Sequence, residues 1–384
     1  MRKICLFVAS FVVSGICLWF PAFAADDVEF EHRMETLAEG EDIVGLAMGV
    51  VRGGEITMLK TYGVRAIGEE EKIGFGTKFR IASLSKGFAA SLFAQLAVEE
   101  KLTLENKIVA YAPSFRLRNS GQAGAATIED VLSHRLGLPP YAYDNLLEAG
   151  IDPDTILQRF GEVKQVCRVG QCYAYQNVGF NMIAAAIEAS TGQSYEDAMM
   201  ARIIEPLALS ETSLGMAHLK EDDDWARPHR RRRGQNWRVV PVKQPYYSVP
   251  AAGGVNATIT DMAKWAIVQL GHAPDVLSAE MRAAIHAPRV ITPAEKRRLR
   301  QMPRVRRADY GLGWRIYDYA GETVVTHAGS VEGYSAQIAI LPDLDVGLVI
   351  LTNSRSNAFW SILPTFLDIE LGYDTEKLAT NEKG

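Results

Sequence analysis

Phe79-Arg80-Ile81-Ala82-Ser83-Leu84-Ser85-Lys86 decides how this chain is read, because a strand-like run passes here into a long apolar helix. From Leu84 onward Phe88, Leu92 and Leu96 recur at helical spacing, with Phe93 beside them, until Glu99-Glu100-Lys101. A helix this apolar is expected to be largely buried. Ser83-Leu84-Ser85-Lys86 is the only S-x-x-K in the sequence. Residues three apart on a helix share a face, so Lys86 would set its amine beside the Ser83 hydroxyl. A serine at a helix start also has free backbone N–H groups and the positive dipole end nearby, which favour a developing oxyanion. Serine at that position is equally a common structural cap. The pair therefore needs a second signal.

Outward from this segment the chain organises itself around strands at both ends. Ile43 to Arg52 is β-rich, Gly53-Gly54 is a two-residue hairpin signal, and Glu55 to Tyr62 continues as a partner strand. The middle reads mostly helical. Thr127-Ile128-Glu129-Asp130 resembles a capping box opening a helix to His134, Val178 to Ala189 is an apolar helix stopped by Gly192, and Ser194 to Leu207 follows. Another helix begins at Thr260. Strands return at Tyr310 to Tyr317, Glu322 to His327, Tyr334 to Leu341 and Val346 to Asn353, before a helix through Trp360, Phe366 and Ile369. One sheet assembled from both termini, with a helical region inserted, is the expected architecture. The site would lie between the two.

Composition agrees with a folded, non-nucleic-acid-binding protein. The 384 residues are 48% hydrophobic and 23% charged, which excludes collagen-like, low-complexity and disordered classes. A net charge of -5 argues against a nucleic-acid partner, whose binder is usually basic. Residues 1–24 read as a secretory signal peptide: Arg2 and Lys3, an uncharged run from Ile4 to Phe20, and Ala22-Phe23-Ala24 as the cleavage site. The alternative is a retained anchor, since the run is almost long enough to span a bilayer. Cleavage leaves no stable membrane span and implies a secreted, periplasmic protein. Cys167 and Cys172 then remain, and in an oxidising compartment they can close a small loop. A zinc site would need two further ligands, and no His lies near them in sequence. The basic stretches Arg227 to Arg238 and Lys296 to Arg307 read as solvated loops, or else as attractors of anionic cell-surface polymers.

The second signal comes from proton chemistry. A serine nucleophile needs a base unprotonated at neutral pH, whereas lysine in water titrates near ~10.4, so burial or another cation must lower it. A tyrosine whose phenolate the lysine stabilises is the other solution. Two Y-x-N triplets occur: Tyr143-Asp144-Asn145, which looks like an exposed turn, and Tyr175-Gln176-Asn177, which immediately precedes the apolar helix from Val178. A helix would hold the second rigidly, which favours it. G-x-S-x-G, H-E-x-x-H, G-x-x-x-x-G-K-[ST] and G-x-G-x-x-G are all absent.

At this point the sequence resembles the class C β-lactamase and penicillin-binding-protein superfamily of serine hydrolases, especially its esterase and D-aminopeptidase-like branch. Six segments in order carry the resemblance: Phe79 to Lys86, Leu132-Ser133-His134-Arg135-Leu136-Gly137-Leu138-Pro139, Tyr175-Gln176-Asn177, Pro250-Ala251-Ala252-Gly253-Gly254, Tyr310-Gly311-Leu312-Gly313-Trp314 and His327-Ala328-Gly329. It implies an α/β (α+β) fold, with an antiparallel sheet flanked by helices beside an all-helical domain. Residues 25–384 would form one hydrolase domain, with 25–110 and 285–384 as its α/β part and 111–284 mainly helical.

The resemblance also implies roles. Ser83 would be the nucleophile, Lys86 and Tyr175 would shuttle its proton, and Asn177 would hold the substrate. The backbone N–H groups of Ser83 and Ser330 would form the oxyanion hole, beside Gly329 and His327 on the same strand. Where β-lactamases of this class carry Lys-Thr-Gly, this chain has His327-Ala328-Gly329, and a mostly neutral imidazole recognises a β-lactam carboxylate less well than a permanent cation. Neither metal nor cofactor is implied. His134 and Arg135 read as structural, and Tyr141, Tyr143, Tyr246 and Tyr247 as either groove contacts or packing. The expected substrates are cell-wall peptides such as peptidoglycan fragments, β-lactams or small esters. The alternative is a non-hydrolytic penicillin-recognising or wall-binding protein on the same fold, which would have no use for a proton shuttle.

Overall fold

A computed structural model describes residues 23–374, apart from 41, 233–234, 294, 296–298 and 300–301. The signal segment expected at 1–24 therefore lies, up to residue 22, outside the described residues. No described helix is long and apolar enough to cross a membrane.

Valine-, isoleucine- and alanine-rich runs form the centre of an eight-stranded sheet. We number its strands β1 (Gly45–Arg52), β2 (Glu55–Gly63), β3 (Val290–Ile291), β4 (Val305–Tyr310), β5 (Arg315–Tyr319), β6 (Glu322–Val331), β7 (Tyr334–Leu341) and β8 (Val346–Thr352). Their order is β2-β1-β8-β7-β6-β5-β4-β3. Every neighbouring pair is antiparallel. The hairpin expected at Gly53-Gly54 is present, and both glycines have positive φ (58° and 80°), as the turn matched to strand twist requires.

The two faces of this sheet bury different partners. Tyr334, Ala336, Ile338 and Ile340 alternate into the larger core, which also holds residues of α2 (Ser85–Val98), α3 (Asn177–Thr191) and α4 (Ile259–Leu270), the last lying against the sheet. Ala339 and Leu341 point to the other face, covered by α1 (Phe23–Glu39) and α5 (Phe359–Glu370). With both faces covered, β7 is buried along its whole length.

Three expectations change. The single strand expected over Tyr310 to Tyr317 is two strands, because Gly311-Leu312-Gly313-Trp314 turns: Gly311 N–H donates to the Trp314 carbonyl (2.8 Å), and Gly313 has φ 75°. The strand-like run before Ser83 is present as Phe79–Arg80, but the middle of the chain is not strand-free: Val255–Ala257 and Ser213–Leu214 join that run in a small sheet. Pieces of two or three residues leave no periodicity to read. The helix opened by the Thr127 capping box is short, Ile128–Leu132, although the reciprocal Thr127–Asp130 bonds are made.

Cys167 and Cys172 are bonded to each other. The loop they close sits on the segment carrying His134: Val166 N–H donates to the Gly137 carbonyl, Gly170 N–H to Arg135, and Ala174 N–H to His134. Only glycine fits at 137, where a Cβ would lie 2.4 Å from the Cys167 carbonyl oxygen. Cross-linking so short a loop is worth about 2 kcal/mol in the chain-entropy account. Cys172→Ala is therefore expected to lower the thermal midpoint by a few degrees; an unchanged midpoint under oxidising conditions would contradict this.

Candidate active site

Ser83 does not open α2 directly. It sits in a single 3₁₀ turn, Ala82–Leu84, and α2 begins at Ser85. Ala82 is left-handed (φ 50°), a strained state for alanine that costs on the order of 1 kcal/mol or more and needs support. The buried Ser85 supplies it: its hydroxyl donates to the Ala82 carbonyl (2.6 Å) and accepts from Val255 N–H (3.1 Å). Arg80, fully buried, pairs with Glu332 (2.7 Å) and so ties the strand before Ser83 to the end of β6.

The turn at 311–314 explains why the start of α2 is so closely seated. A Cβ on Gly313 would lie 2.6 Å from the Lys86 carbonyl oxygen, and one on Gly87 would lie 2.6 Å from the Trp314 ring. Helix and turn meet through two glycines. That contact fixes the height of Lys86.

Lys86 is fully buried. Its Nζ is 2.9 Å from Asn177 Oδ1, 2.8 Å from the Ala252 carbonyl oxygen and 3.3 Å from Ser83 Oγ. Burial holds this amine well below its ordinary value; Asp144 opposes the shift and Arg315 adds to it. A neutral amine has two N–H donors and one lone pair. With Asn177 and Ala252 accepting from it, the neutral form would turn its lone pair to the Ser83 hydroxyl. Tyr175, also buried, is pushed the other way: burial raises its phenol well above 10, against smaller effects of Arg315 and of its contact with Ser83. Burial thus disfavours the charged form of both groups, with Lys86 Nζ 4.7 Å from the centre of the Tyr175 ring.

Asn177 is the first residue of α3. Its Oδ1 is spent on Lys86, and its Nδ2 donates to Asp144 Oδ2 (2.7 Å), which leaves one amide N–H for anything else. Asp144 follows Tyr143, left-handed at φ 58°, and starts a short helix, Asp144–Glu148. Its triplet is not the exposed turn the sequence suggested: Asp144 is buried and lines the cavity.

The remaining wall is β6. β5 pairs with it only over 322–326, so residues 327–331 have no neighbour on that side and offer an open strand edge beside Ser83. A Cβ on Gly329 would lie 2.4 Å from the Ile81 carbonyl oxygen and 3.1 Å from Ser83 N. The backbone of 329–330 therefore abuts the nucleophile's own N–H, where the oxyanion hole was expected; Ser330 is exposed in the opening. Gly329→Ala must push these segments apart by a large fraction of an ångström. It is expected to cut kcat by roughly 10²-fold while the protein still folds. Wild-type rates in a soluble, folded variant would contradict the close fit.

His327 is placed differently from the expectation that it meets substrate. It does not line the cavity and is buried behind Tyr175, their rings 6.2 Å apart. It belongs to a chain of bonds whose proton positions follow from one another. Gln176 N–H donates to His134 Nδ1 (3.2 Å), so His134 carries its proton on Nε2 and donates to the Tyr310 hydroxyl (3.1 Å). Tyr310 then donates to His327 Nε2 (3.1 Å), and His327 Nδ1–H donates to the Ala328 carbonyl (2.9 Å). Both imidazoles are neutral, and burial holds each well below 6.5. The His134 and Tyr175 ring centres are 4.3 Å apart, so this chain packs the tyrosine from behind.

These histidines give stability a definite pH sign. Below about 6.5 the unfolded imidazoles bind protons that the folded ones refuse, so stability falls with falling pH, by up to about 1.4 kcal/mol per pH unit for each group, until the depressed folded values are reached. His286, whose value burial lowers to about 3, adds the same sign. The thermal midpoint is expected to be clearly lower at pH 5.5 than at pH 7.5. An equal or higher midpoint at pH 5.5 would show that the imidazoles are not buried neutral.

Arg315 completes the site from β5. It accepts no proton exchange of its own but pairs with Glu295 (2.9 Å), donates to the Tyr173 hydroxyl (3.2 Å), and lies 5.4 Å from the centre of the Tyr175 ring. Sequence reasoning missed Asp144, Arg315 and Tyr310 as members of the site. Tyr310 lay in a segment already singled out and Asp144 in the Y-x-N triplet set aside as an exposed turn; Arg315 carried no signal. The cavity that Asp144 and Arg315 share with Ser83, Tyr175 and Asn177 has a volume of about 650 Å³, within the range of small-molecule sites; Tyr310 lies behind its wall. Among the described residues, no three or more His, Cys, Asp or Glu stand together as metal ligands would.

An antiparallel sheet, a helical wall and a Ser-Lys-Tyr cleft between them give the class: the serine β-lactamase and penicillin-binding-protein superfamily. The Beta-lactamase family model matches residues 30–367, and the chain belongs to that family. Penicillin-binding protein 4 of Amycolatopsis lactamdurans is 26% identical over 351 residues, covering 85% of each chain. An unguisins hydrolase of Aspergillus campestris is 27% identical over 346 residues, 85% of this chain and 62% of that protein, so the chain spans less than two thirds of that relative. Among solved structures, the octameric penicillin-binding protein homologue from Pyrococcus abyssi superposes with a TM-score of 0.78 at 23% identity, covering 92% of this chain and 79% of that one. SurE gives 0.72 at 21% identity, with 92% and 78% covered.

Proposed function

We propose that this protein is a serine hydrolase that cleaves an ester or amide through an acyl-enzyme on Ser83. The observation that carries this reading is a fully buried Lys86 whose Nζ lies 3.3 Å from Ser83 Oγ, held there by Asn177 Oδ1 and the Ala252 carbonyl, with burial favouring its neutral form. Ser83 Oγ bonds to the substrate carbonyl carbon as its proton passes to Lys86 Nζ. The carbonyl oxygen becomes an oxyanion against the backbone N–H groups of Ser83 and Ser330. Tyr175, protonated at rest, gives a proton to the leaving group as the carbonyl–leaving-group bond breaks, and is reprotonated from Lys86. Water then repeats the sequence on the ester of Ser83, returning the acid and the free hydroxyl.

Cell-wall peptides, β-lactams and small esters are the candidate substrates. With His327 behind Tyr175, β6 offers no cation at this position for a β-lactam carboxylate, which favours the esters and peptides. His327 acts through Tyr175, as a positioning residue. We read the chain as exported to the periplasm on the strength of residues 1–24, and the mass of the protein recovered from the native host tests the cleavage.

Incubating the protein with benzylpenicillin and, separately, with p-nitrophenyl acetate while following intact mass and product tests the central step. A Ser83-linked adduct or turnover with either compound is the expected result. No adduct and no turnover with either would overturn the reading.

A further inference from the structure

The turn that joins β6 to β7 carries a residue that turn chemistry does not ask for. Val331 and Tyr334 face each other across the two strands, so Glu332 and Gly333 form a two-residue turn, with φ 46° and 99°. A hairpin turn with both central residues left-handed favours asparagine, aspartate or glycine, and glutamate gains nothing locally from that conformation. Gly333 is required, since a Cβ there would lie 2.6 Å from the His229 carbonyl oxygen. Glu332 answers no such constraint, and a residue that breaks a local rule marks a place where long-range contacts or function set the choice. Its side chain supplies the reason. Glu332 Oε2 accepts from Arg80 Nη1 (2.7 Å) and from Lys243 N–H (2.8 Å). The Arg80 side chain is wholly buried, its Nε and Nη2 have no hydrogen-bond partner, and its other contacts are the Lys243 carbonyl at 3.3 Å and the face of the Tyr247 ring. Among the described residues Glu332 is the carboxylate that pairs with it.

We propose that Glu332 is a positioning residue for the oxyanion hole, holding the Ser330 N–H at its working distance from the Ser83 N–H through Arg80. Arg80 stands three residues before Ser83, and Glu332 two residues after Ser330. Between these points the two segments already touch, where Gly329 meets the Ile81 carbonyl. That close approach is a steric stop: it keeps the segments from coming nearer. The ion pair is the attractive contact beside it, which keeps them from parting or rocking about the glycine. The oxyanion forms only after Ser83 attacks, so loosening the pair should weaken binding of the tetrahedral state and leave binding of the ester nearly as it was. This inference rests on the hydrolase reading given above.

Two variants separate this role from simple stability. Glu332→Gly suits the left-handed turn and cuts the tether, but strands a buried cation; Arg80→Met combined with Glu332→Gly cuts the tether and removes that cation as well. Each is assayed for kcat and KM with p-nitrophenyl acetate, for thermal midpoint, and for the Ki of phenylboronic acid, whose tetrahedral adduct on Ser83 sets a boron-bound oxygen in the hole. In both variants kcat is expected to fall at least about tenfold, the scale of a misplacement of part of an ångström, and Ki to rise by a similar factor, with KM within about twofold of wild type. The double variant should regain the midpoint that the single one loses, and it carries the test if the single variant does not fold. A folded double variant with wild-type kcat and Ki would show that the pair serves stability alone, overturning this proposal and leaving the hydrolase reading in place. A loss confined to KM would overturn it in the same way. A wild type with neither Ser83-dependent turnover nor boronate binding would overturn the hydrolase reading, and this proposal with it.

Discussion

Ser83→Ala is expected to lower the turnover of p-nitrophenyl acetate by about 10⁴- to 10⁶-fold, because nucleophile and base act as one unit and losing either member removes nearly all covalent catalysis. The fold should survive. Ser83 is partly exposed in a turn held by the Ser85 and Arg80 contacts, and removing its hydroxyl leaves none of those bonds broken. Rate and thermal midpoint, measured on the same preparation, separate the two effects. A variant that is folded and retains more than about a hundredth of the wild-type rate would show that another group carries the acyl chemistry.

Lys86→Ala should cost about 10²- to 10⁴-fold in kcat, the range for a positioned general base, and should also change the pH profile. The amine works only when unprotonated, so wild-type activity rises as pH rises through its folded value, which burial holds well below 10.5. In the variant that rising limb should vanish from the residual activity. A limb that persists unchanged would assign it to a group other than Lys86. Linkage adds a thermodynamic signature: the unfolded lysine stays protonated up to about 10.4 while the folded one does not, so between the two values this residue makes stability increase with pH. Its sign matches that of the buried histidines at lower pH.

Both expectations rest on local features legible in the sequence. The S-x-x-K spacing, the apolar period from Leu84 and the rigid helix after Tyr175 are short-range, and their chemistry follows from which side chains a helix sets side by side. Six of the eight strands of the large sheet were legible in whole or part, since valine and isoleucine alternation or continuous burial survives in the sequence, whereas β3 and β4 were not: β3 is two residues long and β4 begins inside the basic stretch read as a solvated loop. Placing them in one sheet followed from the rule that every strand needs a partner.

The environment of those residues depends on contacts far apart in the chain. Lys86 is suited to act as a base because burial disfavours its charged form while Asn177 and Ala252, 91 and 166 residues away, accept hydrogen bonds from it. Gly329 matters because a strand edge from the C-terminal part of the chain meets the carbonyl of Ile81. His327 was expected at the substrate from its motif, yet its rotamer is set by Tyr310 and, beyond it, His134, bonds that no spacing encodes. Asp144 looked exposed because its neighbours Tyr143 and Asn145 are turn-like, and only the docking of its short helix against α3 buries it. Sequence determined which reactive groups the chain carries and the elements that bear them. Tertiary structure alone decided their protonation states and which of them face the cavity, because desolvation and hydrogen-bond partners are properties of what packs around a residue, whatever lies beside it in the chain.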